Sequence, residues 1–292
     1  MTQVQEIISK ATIELKKRNI QSARLDAEIL LSAVLQSNRL DLILKKNHNI
    51  NLGQEQLFNQ LLDKRKKNEP IAYIIKNKSF WNEDYYIASG ALIPRPETEI
   101  LIEMICKQIN NGQKSLNILD IGCGSGCLLI SLLRQFPKSR GIGIDISKEA
   151  LNICKKNINK YKLNYRTKII QGDIGKVRVV NKFDVIVSNP PYLKNSEYQK
   201  LSKDIKQYEP RIALVAKQED GIFFYREIIK KFSSVLKVGG LLAFEIGDRQ
   251  WIYIKEEVEK NSFKIIDKYK LINDEIRCVL AIKYKFDKVM DL

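Results

Sequence analysis

The tetrapeptide Asn189-Pro190-Pro191-Tyr192 closes an apolar run, Phe183-Asp184-Val185-Ile186-Val187-Ser188, that reads as a buried strand. An Asn amide, a stiff Pro-Pro backbone and an aromatic ring at a strand end offer two hydrogen-bond acceptors and a stacking plate for a flat amide or amine. Acid–base machinery is scarce, for the single histidine, His48, lies in a polar stretch. The chemistry this set suits is transfer of a group to a planar NH2.

A second set supplies a place for the donor. Asn117-Ile118-Leu119-Asp120-Ile121 runs straight into Gly122-Cys123-Gly124-Ser125-Gly126 and then an apolar helix. Glycines let the backbone turn tightly and approach a ligand, and a helix N-terminus supplies free N–H groups. A further strand ends at Asp145, nineteen residues beyond Gly126 (145 − 126), where a carboxylate can accept from both ribose hydroxyls. A dinucleotide site favours G-x-G-x-x-G, whereas the spacing here is G-x-G-x-G. Nothing basic stands near to take a phosphate, and Asp120 precedes the loop. Those acids suit a cation without phosphate, such as S-adenosylmethionine. Asp173, in Gln171-Gly172-Asp173-Ile174, is then expected near the adenine with Ile174 on its ring; the alternative for Asp173 is a plain turn.

These motifs need a scaffold. From Leu116 onward the pattern alternates, with strands expected at 117–121, 141–145, 167–170, 183–188, 240–246, 263–269 and 276–283. Helices are expected near 125–135, 148–160, 220–236 and 249–260. Such alternation implies a mostly parallel sheet with helices on both faces. The short loop between the last two strands makes one of them antiparallel. In a doubly wound sheet the first and fourth strands are neighbours, so the glycine loop and Asn189-Pro190-Pro191-Tyr192 open on one crevice.

The first seventy residues read as a helical bundle. Ile7, Ile8, Ala11 and Leu15 mark a helix from Val4 to Arg18 with Thr2 as a possible cap. A second helix follows Ser22, with Leu25, Ile29, Leu30, Ala33 and Val34 as its stripe. A third covers Leu40–Lys45 and a fourth Gln54–Lys67. Ala72-Tyr73-Ile74-Ile75 and Tyr85-Tyr86-Ile87, flanking Asn82-Glu83-Asp84, read as a hairpin connector over 71–93. Pro94 and Pro96 then stiffen the chain before a helix over Glu97–Gln108.

Composition sets outer bounds. The chain has 292 residues, 50 basic against 34 acidic, a net charge of +16, which leaves room for a polyanionic or acidic partner, nucleic acid and ribosome included. No basic cluster interleaved with aromatics marks a nucleic-acid groove. Cys106, Cys123, Cys127, Cys154 and Cys278 form no CxxC pair, so free thiols in a reducing cytosol are expected and zinc is not. The polar start is unlike a secretory signal, and the longest charge-free run, Ile121–Leu133, is too short to span a bilayer. A cytoplasmic protein without membrane contact is the expectation.

Several further segments narrow the family. They are Pro70-Ile71-Ala72-Tyr73-Ile74, Phe80-Trp81, Leu92-Ile93-Pro94-Arg95-Pro96-Glu97-Thr98-Glu99, Glu209-Pro210-Arg211-Ile212-Ala213-Leu214, Asp220-Gly221 and Phe244-Glu245-Ile246-Gly247. Together with Ala23-Arg24-Leu25-Asp26-Ala27-Glu28 they resemble the HemK/PrmC-type methyltransferases over roughly residues 20–283. That family modifies the glutamine of the Gly-Gly-Gln motif in class I peptide-chain release factors. The Asn-Pro-Pro-Tyr motif itself is shared with N6-adenine and N4-cytosine methyltransferases of nucleic acids, which stand as the alternative substrate class. A basic binding protein that keeps the fold without catalysis is a third reading, opposed by the intact Asn189 and glycine loop. Two departures from the family pattern are Cys123, where threonine is common, and Val215–Glu219, which lacks a glycine pair and is one residue longer.

The resemblance implies a Rossmann-like class I S-adenosylmethionine-dependent methyltransferase, α/β with a seven-stranded mostly parallel sheet and a small N-terminal helical bundle. It implies a substrate-recognition domain over 1–70, the hairpin connector over 71–93 and a methyltransferase domain over 94–292. Catalysis falls to Asn189, Pro190 and Tyr192, with Pro191 joining them in holding the glutamine. The Asn189 side-chain oxygen and the Pro190 carbonyl would accept its two N–H bonds. Gly122, Cys123, Gly124, Ser125, Gly126, Asp145, Asp173, Ile174 and Asn189 would hold S-adenosylmethionine, with no metal.

Overall fold

The computed structural model describes residues 3–44 and 47–285. Thr2 and Lys45, named above as a helix cap and a helix end, lie outside the described residues. The chain divides into two compact units: Met1–Asn77 with Ser202–Tyr208, and Lys78–Leu201 with Glu209–Leu292.

The first unit is helical, with α1 (Val4–Lys17), α2 (Ala23–Leu35), α3 (Arg39–Leu44), α4 (Leu52–Lys66) and α5 (Ile71–Ile75). Val4, Ile7, Ala11 and Leu15 are the buried face of α1. On α2 the buried face is Ala23, Ala27, Leu30, Leu31 and Val34, while Leu25 and Ala33 of the expected stripe are exposed. Asp26 turns inward on that helix to meet the Arg65 guanidinium of α4 at 2.7 Å, and Ser22 Oγ donates to it at 2.9 Å. A buried carboxylate needs such partners, and satisfying it sets the roll of α2. Helix α4 starts two residues earlier than expected, because Asn51 and Gln54 form a reciprocal capping box.

Residues 71–75 are a correction. Ala72-Tyr73-Ile74-Ile75 is a helical turn, with the N–H groups of Tyr73 and Ile74 both donating to the Pro70 carbonyl. A four-residue apolar run fits a buried helix face and a strand equally, and the preceding proline decides for the helix. The hairpin exists slightly downstream, pairing β1 (Lys78–Phe80) with β2 (Glu83–Tyr85) in the second unit. Its turn residues are Trp81 and Asn82, both at positive φ, as a two-residue hairpin turn requires.

The rest of the second unit runs α6 (Glu99–Ile109), β3 (Asn117–Ile121), α7 (Cys127–Gln135), β4 (Arg140–Asp145), α8 (Lys148–Lys160), β5 (Thr167–Gln171) and β6 (Phe183–Ser188). It continues through α9 (Asn195–Lys200), α11 (Phe223–Phe232), β7 (Leu236–Glu245), α12 (Trp251–Lys260), β8 (Phe263–Lys270) and β9 (Ile276–Lys283). The short α10 (Lys203–Tyr208) belongs to the first unit, where Tyr208 donates its hydroxyl to the Lys67 carbonyl at 2.9 Å. All seven expected strands form one sheet in the order β5-β4-β3-β6-β7-β9-β8. Strand β9 runs antiparallel to both neighbours, and the other pairs are parallel. The apolar α7 is buried all round from Cys127 to Leu133, which accounts for the longest charge-free run.

The chain winds one way from β3 to β4 and the other way from β3 to β6, so β3 and β6 flank the switch point. Ile121 pairs with Ser188 there, and Ser188 Oγ donates to the Ile121 carbonyl at 2.6 Å. The glycine loop and Asn189 therefore leave the sheet side by side.

Candidate active site

A cavity opens at that point, lined by Gly122 and Gly124, by Asp145 at the end of β4, by Asp173 and Ile174 after β5, and by Asn189, Pro190 and Pro191 after β6. Most of the predicted site residues thus meet in one place. Cys123, Ser125 and Gly126 are not part of this lining; Cys123 and Ser125 are buried behind it.

The glycine loop works differently from the expectation. Four of its five N–H groups are consumed inside the protein: Gly122 and Cys123 donate to the Ile144 carbonyl, Gly124 to Asp145 Oδ2 at 2.8 Å, and Gly126 to the Cys123 carbonyl. What the loop leaves open is space. Gly122 and Gly124 sit at positive φ, and a Cβ on either would meet no protein atom within 4 Å. The loop is built for close approach rather than for donation.

Asp145 accepts from the N–H groups of Gly124 and Ser147, both at 2.8 Å, one on each oxygen. Each oxygen keeps a lone pair for a further donor. Burial pushes this carboxyl above its ordinary range, against the pull of those two bonds. Asp173 is held by the Gly175 N–H, which lowers its pKa, and pairs with Lys217 at 3.3 Å. Lys217 lines the cavity too. No basic residue adjoins the glycine loop in sequence, and the fold brings one from forty-four residues beyond Asp173, already neutralised by that acid.

Asp120 is the most strained acid of the site. It is 1% exposed and its Oδ2 has no partner, and burial, with Asp145 nearby, pushes it up to about 8. Such a carboxyl takes up a proton on folding wherever the pH lies between its unfolded and folded values. Its favourable contribution is present below about 4 and is lost as pH rises towards about 8. Asp120→Asn should therefore flatten the fall in melting temperature of the ligand-free protein between about pH 4 and pH 8. Parallel melting curves for the two proteins across that range would refute this.

Asn189 is fixed by groups that can only accept. Its Nδ2 lies 2.8 Å from Glu245 Oε2 and 3.2 Å from Thr98 Oγ1. The Thr98 hydroxyl spends its own proton on Glu245 Oε2 at 2.5 Å. The NH2 end of Asn189 must face this pair, which leaves Oδ1 as the free acceptor. Glu245, part of Phe244-Glu245-Ile246-Gly247, sits 1% exposed behind the motif. Its signal in the sequence is a lone charge inside the apolar run Leu241–Ile246.

Tyr192 is not part of the cavity lining. Its hydroxyl reaches Glu245 Oε1 at 3.4 Å, and the Arg277 guanidinium lies 5.5 Å from its ring centre. Gln250 latches the backbone there, donating to the Tyr192 carbonyl at 2.9 Å and accepting from Gly247 N–H at 3.0 Å. A Cβ on Gly247 would lie 2.8 Å from Tyr192 Cδ2, so only glycine lets the ring come this close. The segments around Ile93 and Glu209 are tied together: the Glu209 carboxylate accepts from Ile93 N–H at 3.1 Å and from Arg95 at 2.6 Å. The longer Val215–Glu219 loop is ordered by Leu193, which exchanges backbone bonds with Leu214 and Ala216.

Comparison with known proteins agrees with this geometry. Residues 6–75 match the PrmC N-terminal domain family and residues 112–289 a methyltransferase domain family. A release factor glutamine methyltransferase of Clostridium botulinum is 37% identical over 92% of this chain and 95% of its own. The chain belongs to the release factor glutamine methyltransferase family. One of Fusobacterium nucleatum is 35% identical over 95% of this chain and 78% of its own. A methyltransferase of Pyrococcus furiosus shares the fold at a TM-score of 0.50, with 18% identity over 79% of this chain and 99% of that one. Among the described residues no helix is long and apolar enough to cross a membrane, and all five cysteines are free.

Proposed function

We propose that this protein transfers the methyl group of S-adenosylmethionine to the side-chain nitrogen of the glutamine in the Gly-Gly-Gln motif of class I release factors, in the cytoplasm. The observation that carries this reading is the orientation of Asn189, whose oxygen is the one end of its amide left to accept.

The residues suit the methyl donor. Asp145 has lone pairs for ribose hydroxyls, and Ile174 offers an apolar wall for adenine. Bound there, S-adenosylmethionine supplies an electrophilic methyl group on a sulfonium. The remaining work falls to the chain. An amide nitrogen is a poor nucleophile because its lone pair is conjugated with the carbonyl, as the rotation barrier of about 18–20 kcal/mol reflects. Asn189 Oδ1 and the Pro190 carbonyl accept the two N–H bonds of the glutamine. They aim its nitrogen at the methyl group and stabilise the positive charge that develops on it. Alignment of this kind is worth roughly 7–11 kcal/mol of a barrier. Pro191 keeps the turn rigid, and Tyr192 supports it from outside the cavity. No base is needed before transfer. Mass spectrometry of a release factor incubated with the protein and S-adenosylmethionine tests the reading: a 14-Da gain on that glutamine is expected, and its absence overturns it.

The first unit is assigned to recognising the release factor. A lone glutamine on a loop offers little area, whereas specific complexes bury about 1,200–2,000 Å². Supporting this, α3 presents Leu40, Ile43 and Leu44 to solvent, at 71%, 67% and 82% exposure. The double variant Leu40→Ser, Ile43→Ser should raise KM for the intact factor about tenfold, equivalent to about 1.4 kcal/mol, with turnover unchanged. Added salt should weaken docking on an acidic partner as well. An unaltered KM would remove α3 from the interface.

A further inference from the structure

We propose that Glu245 is a positioning residue for methyl transfer: its buried carboxylate sets which end of the Asn189 amide meets the acceptor glutamine, and anchors Tyr192 beside it. This rests on the reading of Asn189 as the acceptor of the glutamine N–H.

The sheet places the two groups together. Ser188 of β6 pairs with Phe244 of β7, so Asn189 and Glu245 follow each other at adjacent strand ends. Glu245 accepts from Thr98 Oγ1, Asn189 Nδ2 and the Tyr192 hydroxyl, and in none of these contacts does it need a proton. Its neighbours Thr98 and Arg277 favour the charged form against the burial that raises its pKa. Arg277 itself is anchored by donating to the Ile246 carbonyl at 2.8 Å.

Two consequences follow for Asn189. Turned the other way, its carbonyl would face a carboxylate and a hydroxyl lone pair, a repulsive arrangement in a site with little water to screen it. Turned as it is, its NH2 donates to a negative charge. That polarises the amide and makes Oδ1 a better acceptor for a nitrogen that is becoming positive. Fold stability alone does not call for this acid, since neutral groups of similar shape fill buried positions at lower desolvation cost. Glutamine is the informative replacement: it keeps the volume and the hydrogen-bonding capacity, loses the charge, and can present NH2 to Asn189.

The test is a double-mutant cycle in the full chain with Glu245→Gln, Asn189→Ala and the pair, reading kcat, KM for a release factor, S-adenosylmethionine affinity and melting temperature. Glu245→Gln should lower kcat about tenfold, a change of about 1.4 kcal/mol in the barrier, with cofactor affinity within twofold. In the Asn189→Ala background the same substitution should cost less than twofold, because the group it positions is gone. A wild-type kcat in Glu245→Gln overturns the proposal, as does the same fold loss in both backgrounds. Should Glu245→Gln fail to fold, Thr98→Val removes the second inward acceptor. It should lower kcat several-fold in the wild-type background only, and equal losses in both backgrounds overturn the proposal again. Failure of the functional reading looks different, for then the wild-type protein itself adds no methyl group to the factor.

Discussion

Asn189→Ala is expected to lower turnover at least about a hundredfold while S-adenosylmethionine affinity stays within about tenfold. The deleted amide oxygen is a preorganised acceptor aimed at charge that appears only as the methyl group moves, and losing one such group costs about 3–4 kcal/mol. The cavity wall keeps its other members, since Gly122, Asp145 and Ile174 come from separate segments. Single-turnover methylation of a release factor, alongside calorimetric binding of the cofactor, checks both halves. Turnover near that of wild type would remove Asn189 from the reaction.

Asp145→Asn should act on the other substrate. Both carboxylate oxygens already receive a backbone N–H, from Gly124 and from Ser147. Asparagine offers one oxygen and one NH2, so one of those N–H groups would face another donor and the loop would lose its tie. The charge that strengthens bonds to ribose hydroxyls disappears with it. Hydrogen bonds to charged groups are worth about 1.5–3 kcal/mol, so KM for S-adenosylmethionine should rise roughly 10- to 150-fold. At saturating cofactor, turnover and the choice of glutamine should hold. An unchanged cofactor affinity would mean that this acid serves something other than a ribose.

The second unit was legible in the sequence wherever one period dominated. Strands such as Asn117–Ile121, Phe183–Ser188 and Ile276–Lys283 are apolar runs, and glycine or proline punctuates the first two. Ala72–Ile75 was not legible, since a run so short carries no period and its fate turned on Pro70. The region from Asn195 to Ala213 holds α9, α10 and a 3-10 turn, none of which was expected. Its residues are polar and its helices too brief for a stripe. At the site, position along the strands foretold which motifs meet. It did not foretell that the N–H groups of Gly122, Cys123 and Gly124 would be spent internally, because Ile144 and Asp145 become their partners only once β4 lies beside β3. Lys217 and Glu245 escaped for the same reason: each acquires its meaning from residues distant in sequence that fold brings alongside.

The place of β9 between β7 and β8 bears on how the molecule is made. A chain leaving the ribosome delivers β7 and β8 before the strand that joins them, so β8 has no partner in the sheet and β7 presents an open edge until Ile276–Lys283 emerges. Glu245 pairs with Cys278 across that final seam, and Arg277 beside it reaches back to Ile246. The cofactor side of the crevice rests on earlier strands, β3, β4 and β5, and the lining of the cavity ends at Ile228. Synthesis therefore completes the two halves in order, donor pocket first and acceptor seat last. A chain that stops before Ile276 would carry the means to hold a methyl donor without the framework that directs its use.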